Sequence, residues 1–160
     1  KTAYEIPKRD WSSDVCSSDL LTAAARRGVP QVVSVGALDM VNFGPPATVP
    51  EVFRERLFYQ HNPQVTLMRT TADECRQLGT EIARKVSATT GPAVILLPRL
   101  GLSAIDREGQ VFNDPVARQS LFDAIEKQST GCRVETVDYH INDPEFATAA
   151  ARHLLKLLGK

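Results

Sequence analysis

Three short strand-like runs, two of them largely apolar, spaced by stretches of helical period, constrain this chain more than any other feature. Residues 31–35 (Gln-Val-Val-Ser-Val), 93–97 (Ala-Val-Ile-Leu-Leu) and 133–139 (Arg-Val-Glu-Thr-Val-Asp-Tyr) read as strands. Runs this short and this rich in branched residues suit strands covered on both faces. The segments between them carry helix-start signals. Thr71-Ala72-Asp73-Glu74 has the Thr-x-x-Glu form of a capping box. Cys75, Leu78, Ile82, Ala83 and Val86 then fall on one face of the helix it opens. Asp114-Pro115 and Asp143-Pro144 each place an N-cap Asp before a Pro at the first helical position. The inner stripes that follow are Ala117, Leu121, Phe122 and Ile125, and then Phe146, Ala147, Ala150, Leu154 and Leu157 or Leu158. Residues 21–27 read as the tail of a further helix, closed by Gly28 and Pro30. The alternation predicts an α/β fold, a mostly parallel three-layer sheet with helices on both faces, Rossmann-like and truncated at the amino terminus. One region breaks the pattern. Residues 36–50, with two glycines and three prolines, read as a loop, and 57–59 as a weak strand leading into a second loop at 61–71.

The first twenty residues do not share this patterning. Asp-Trp-Ser-Ser-Asp-Val-Cys-Ser-Ser-Asp-Leu at 10–20 resembles the translation of a sequencing-library adapter, a contaminant of assembled environmental (metagenomic) DNA. Residues 1–20 are therefore set aside as an artefactual or disordered leader, and 21–160 are expected to form one α/β domain. Removing the leader's three basic and four acidic residues from 19 of each leaves 16 against 15, a nearly neutral domain. That balance argues against a nucleic-acid partner. No run approaches the roughly 18 apolar residues of a membrane span. Cys75 and Cys132 are too few for a disulfide framework or a four-Cys zinc site, and a reduced cytoplasmic setting is expected.

In parallel sheets, ligands bind beyond the carboxyl ends of the strands. Four loops are expected there, at residues 36–42, 61–71, 99–106 and 140–143, and they hold nearly all the unusual polar residues. Arg69, Thr70 and Thr71 stand at a helix start, where free N–H groups and the dipole attract anions. Arg69 suits a phosphate or carboxylate fork, or equally a surface ion pair. Gly101 and Ser103 can cradle phosphate through backbone N–H groups, although a Gly-x-Ser turn is common and no Walker or dinucleotide fingerprint is present. His61 and His140 are candidate acid–base groups or metal ligands, with structural hydrogen bonding as the competing role. Asn42 and Asn62 add polar contacts on the same loops. Asp39 and Asp106, with Asn42, are weak candidates for a divalent cation held against a triphosphate, and turn stabilisation is the competing role for both aspartates.

The motif Gly36-Ala37-Leu38-Asp39-Met40-Val41-Asn42-Phe43-Gly44 is followed by His61-Asn62-Pro63-Gln64-Val65-Thr66-Leu67-Met68-Arg69-Thr70-Thr71. With Ser103-Ala104-Ile105-Asp106 and Asp138-Tyr139-His140-Ile141-Asn142-Asp143-Pro144, these resemble an ATP-binding protein family typified by a tomato inhibitor of tobamovirus RNA replication. The resemblance runs from about Leu21 to Leu158. It implies the second subdomain of a two-subdomain module, with ATP, alone or carried with Mg, as ligand. In plants and fungi the family's module is joined to a TIM-barrel domain, whereas bacterial members often consist of the module alone. Two departures stand out. The amino-terminal subdomain is missing, and Pro98-Arg99-Leu100-Gly101 stands where relatives are expected to read Pro-Leu-Arg-Gly. The leading expectation is an ATP-binding module fragment with Arg69, Thr70, Thr71 and Gly101 to Ser103 facing phosphates. The alternatives are an enzyme of small-molecule metabolism using His61 or His140, and a protein-interaction module. Apolar surface left by the missing subdomain would favour a homo-oligomer.

Overall fold

The computed structural model describes residues 17–160. The proposed leader lies mostly outside them, and only its last four residues enter the first helix. The elements in order are α1 (Ser17–Arg27), β1 (Gln31–Ser34), β2 (Met40–Phe43), β3 (Phe58–Asn62), β4 (Val65–Arg69), α2 (Ala72–Ser87), β5 (Ala93–Pro98), α3 (Pro115–Gln128), β6 (Arg133–Val137) and α4 (Pro144–Leu157).

β1, β5 and β6 form a parallel sheet in that order, with β5 central. Because side chains alternate along a strand, β5 sends Ile95 and Leu97 to one face and Val94 and Leu96 to the other. The first pair joins Val33, Cys75, Leu121 and Ile125 in a core beneath α1, α2 and α3. The second pair meets Phe146, with Ala150 and Leu157 of α4 packed against it. Helices thus cover both faces of a parallel sheet, an arrangement consistent with a Rossmann-like α/β fold.

The helix-start signals act as their chemistry dictates. Thr71 Oγ1 accepts from Glu74 N and the Glu74 carboxylate accepts from Thr71 N, the reciprocal pair of a capping box. Asp114 accepts from Ala117 N ahead of Pro115. Asp143 departs from expectation: it makes no cap bond, because its carboxylate instead receives His140 N and Arg107. Where α2 crosses α3, Gly79 is obligatory, since a Cβ there would stand 2.5 Å from Leu121 O. Of the expected α4 stripe, Phe146, Ala150 and Leu157 turn inward, while Ala147, Leu154 and, just past the helix end, Leu158 are exposed.

The larger correction concerns residues 36–71. In place of two loops around a weak strand, this stretch forms a second, antiparallel sheet in the order β2-β4-β3. β3 and β4 are a hairpin that turns at Pro63-Gln64, with a bulge between Gln60 and Asn62. Cross-strand pairing settled what local pattern left open: Phe43 and Gln60 both lie opposite Thr66. Thr66 and Met68 share one face of β4, which the proline-rich segment at 45–56 covers, with the Phe43 and Phe53 rings 5.7 Å apart. Leu67 and Arg69 share the other face, where Tyr59 on β3 meets Phe112 edge-on. That face is turned toward the α/β body.

Candidate functional site at the strand ends

Arg69 ends β4, and the alternation just described aims it into the body rather than out past the helix start. Its side chain is 5% exposed. Nε donates to Phe112 O at 2.8 Å, and Nη1 reaches Asp39 O at 3.1 Å, Thr70 O at 3.1 Å and Thr70 Oγ1 at 2.9 Å. Nη2 points to Asp114 O at 3.4 Å and lies 3.7 Å from the Asp106 carboxylate. The sequence expectation of an outward phosphate fork is corrected in orientation: this guanidinium is saturated by internal oxygens. A saturated, buried Arg ties loops together.

Asp106 is fully buried beside it. Oδ2 accepts from Leu102 N at 2.9 Å and Oδ1 from Arg118 Nη1 at 2.8 Å. Two arginines and a backbone amide thus surround this carboxylate, which stabilises the turn that bears it. Ser103 heads the same turn. Its Oγ accepts from Ile105 N and Asp106 N and donates to Asp39 Oδ2 at 2.6 Å. Asp39, also fully buried, keeps Oδ1 without a partner among the described residues. Burial raises its pKa, Asp106 adds to the rise, and the Ser103 hydroxyl and Arg69 only partly oppose it. Thr70 is buried as well, donating to Leu38 O at 2.8 Å.

His140 follows β6 and is 1% exposed. Nδ1 accepts from Asn142 N at 3.1 Å, which fixes Nδ1 as the unprotonated nitrogen; Nε2, facing Ser103 O at 2.8 Å, then carries the proton. Both ring nitrogens are committed, so the role met here is the structural one weighed from sequence. Gly101 packs directly under this ring. Its φ of +141° and a Cβ position 1.9 Å from Asp106 O and 2.6 Å from His140 Cδ2 admit no other residue. Its N–H bonds to Pro98 O and its carbonyl receives Ile141 N, so the backbone here is also in use.

The remaining expected residues stand apart from this node. Thr71 and Glu74 complete the helix cap, and the Glu74 carboxylate, forked by Arg56 at 3.0 and 2.5 Å, already supplies the anion at the start of α2. The Arg56 bonds and the Thr71 N–H outweigh the upward effect of burial and lower the Glu74 pKa. His61 and Asn62 lie on the exposed hairpin tip, where Asn62 Oδ1 accepts from Gln64 N, and Asn42 is exposed on β2. Arg56, Phe112 and Arg118, all needed by the node or the cap, carried no signal in sequence: each is recruited by tertiary contact. Asp39 and Asp106 were weighed as cation ligands. Among the described residues no group of three or more His, Cys, Asp or Glu side chains is placed to hold a metal ion.

Above the node, Gly36 and Ala37 after β1, Arg99 and Leu100 after β5, and Asp138 and Tyr139 after β6 form an exposed crest. Ala37 adopts φ +59°, a left-handed conformation that non-glycine residues seldom take. Its N–H is held by Leu102 O at 2.8 Å, and Arg99 pairs with Asp138. Among the described residues, no helix is long and apolar enough to cross a membrane.

Residues 13–158 match the model of the Uncharacterised protein family (UPF0261) C-terminal domain. A UPF0261 protein of Mesorhizobium japonicum is 53% identical over 86% of this chain and 36% of its own length. A UPF0261 protein of Clostridium tetani is 39% identical over the whole chain and 42% of its own. The ToMV resistance protein Tm-1(GCR237) of Solanum lycopersicum is 40% identical over 91% of this chain and 20% of its own. The chain thus spans well under half the length of these relatives.

Proposed function

The chain belongs to the UPF0261 family as its C-terminal domain, and from that premise we propose that it is a nucleotide-binding half-module. Mg-ATP phosphates lie over the exposed crest at residues 36–37 and 99–100, and the buried node is the rigid platform below. The observation that carries this reading is Ala37, held left-handed on an exposed glycine loop at the carboxyl end of β1. Strained backbone of this kind clusters at ligand sites, and this end of a parallel sheet is where ligands bind. Arg69, Thr70, Gly101 and Ser103 then act as positioning residues. Thr71 acts through its helix cap, and Asn42, Asn62, Asp39 and Asp106 carry no ligand role in this reading.

The test is Mg-ATP titration calorimetry on the whole chain beside Arg99→Ala and Gly36→Leu. Gly36→Leu shifts the crest loop, because a Cβ there presses on Ile141 Cγ1 at 3.3 Å. Weakening by roughly 1–3 kcal/mol in Arg99→Ala, the scale of a charge-assisted hydrogen bond, supports the reading. Absence of binding by the folded parent, or binding indifferent to both changes, overturns it.

A second reading, an interaction module, draws on the tomato relative's being a ToMV resistance protein and on Leu154, Leu155 and Leu158, exposed together at the end of α4. A partner subdomain or a second copy would cover them, and sedimentation of a Leu155→Glu, Leu158→Glu variant tests this against self-association. An enzymatic reading rests on His61, since His140 has both nitrogens engaged; turnover of any substrate that survives His61→Ala removes it. Among the described residues, Cys75 and Cys132 are free thiols, compatible with the reduced cytoplasmic setting that belongs to this proposal.

A further inference from the structure

The outer face of the antiparallel sheet holds a cleft of about 430 Å³, on the face of β4 opposite the one that carries Arg69. Its floor is Phe58, Gln60 and Thr66, and one wall is Pro46, Val49 and Pro50 from the covering segment. Thr66 is only 4% exposed, yet its Oγ1 has no hydrogen-bond partner among the described residues. A buried hydroxyl left unpaired is destabilising, and unsatisfied groups of this kind mark places where a missing partner belongs. Gln60 lies directly opposite Thr66 across the β3–β4 ladder, so their side chains are neighbours on the same face. Gln60 is exposed, so its amide is open to the cleft. The cleft therefore offers a hydroxyl and an amide, each able to donate and accept, set among proline and phenylalanine surfaces.

Charge decides which ligand fits. The cation at the rim, Arg54, is already bonded to Glu51 at 3.1 Å and lies 3.3 Å from Glu55. A phosphate or carboxylate would have to displace those glutamates while lying beside them. An uncharged group has no such conflict.

We propose that this cleft binds an uncharged flat ring bearing an adjacent hydrogen-bond donor and acceptor, the shared chemistry of a nucleobase and of a nicotinamide-type cyclic amide. The ring lies between the prolines and Phe58 while its polar edge meets the Gln60 amide and the Thr66 hydroxyl. An amide side chain reads such an edge with two bonds, as glutamine does with adenine. The volume lies within the range of small-molecule sites. This site stands on a different sheet from the crest and does not depend on the nucleotide reading.

The test is a ¹H–¹⁵N NMR titration of the whole chain with adenosine and, separately, with nicotinamide, each beside AMP. Saturable shifts are expected at the amides of Val49, Phe58, Gln60 and Thr66 for at least one uncharged probe, and the two arms identify which ring is preferred. AMP is expected to bind this cleft several-fold more weakly than adenosine. Thr66→Val keeps shape and strand propensity but removes the hydroxyl, and should weaken binding roughly 2–10-fold, the equivalent of one neutral hydrogen bond. Gln60→Ala, at an exposed position, should do the same and decides the matter should Thr66→Val fold poorly. Arg99→Ala should leave these shifts unchanged. No saturable shift at these residues with either uncharged probe overturns the proposal, as does AMP binding here as tightly as adenosine or affinity unchanged in the folded variants.

Discussion

The surroundings of two carboxylates, Asp39 and Glu74, push them in opposite directions. Asp39 is buried without a cation in hydrogen-bond reach of its carboxylate, so its pKa rises. A folded pKa above the unfolded one means that Asp39 lowers stability as pH climbs from the ordinary Asp range through the raised value. Asp39→Asn should therefore gain melting temperature relative to the parent as pH rises through that window, in thermal scans across pH. Glu74, bonded to Arg56 and the Thr71 N–H, is lowered. Its contribution is complete above the ordinary Glu range and fades as pH falls through the depressed value. Glu74→Gln should cost stability at neutral pH, and the loss should shrink under acid. At Gly101 the effect is steric. Gly101→Ala drives a Cβ into Asp106 O and His140, so about 4 kcal/mol or more of destabilisation is expected in denaturant unfolding, at the severe end for single changes.

At the scale of elements, the second strand layer explains what the node is for. β4 delivers Arg69 inward, and the turn after β5 delivers Asp106 to meet it, with Arg118 of α3 on the same carboxylate. Removing Arg69 leaves Asp106 bonded to Arg118 and Leu102 N but takes the donor from the buried oxygens of Phe112, Asp39 and Thr70, at roughly 1–3 kcal/mol for each acceptor left unsatisfied. Arg69→Met should accordingly unfold the chain at lower denaturant, whereas a directly ligating arginine would lose affinity at unchanged stability. The α2 start is held by reciprocal bonds with its own carboxylate. Thr71→Ala should reduce stability by about 1 kcal/mol, the usual worth of an N-cap, with no change in ligand binding.

Across the whole molecule, local signals and long-range contacts divided the work. The α/β alternation, the Thr71 capping box, the Asp114-Pro115 helix start and the buried faces of α2 and α3 were legible because each depends on residues within a few positions of one another. The gathering of polar residues was legible at 36–39, 99–106 and 140–143, which follow strands of the parallel sheet, but not at 61–71, which forms the hairpin and leaves His61 and Asn62 at its tip. The antiparallel sheet was not legible, because a hairpin of mixed polarity around Pro63 has no clean alternation, and its β2 partner lies in a proline- and glycine-rich stretch. Its register is written in cross-strand pairing, which sequence spacing does not display. The inward turn of Arg69 followed from that pairing, and with it the change from a presumed anion fork to a buried tie. His140 likewise owes its fixed tautomer to Ser103 O and Asn142 N, and Ser103 lies far from it in sequence. The sequence by itself determined which segments are strands and helices in the parallel layer, and the two loops at 99–106 and 140–143 that leave its carboxyl ends, because those rest on local periodicity and capping. Only the tertiary structure decided which of the gathered side chains are consumed in holding the loops together, because burial and hydrogen-bond partners are properties of distant residues brought within 3 Å.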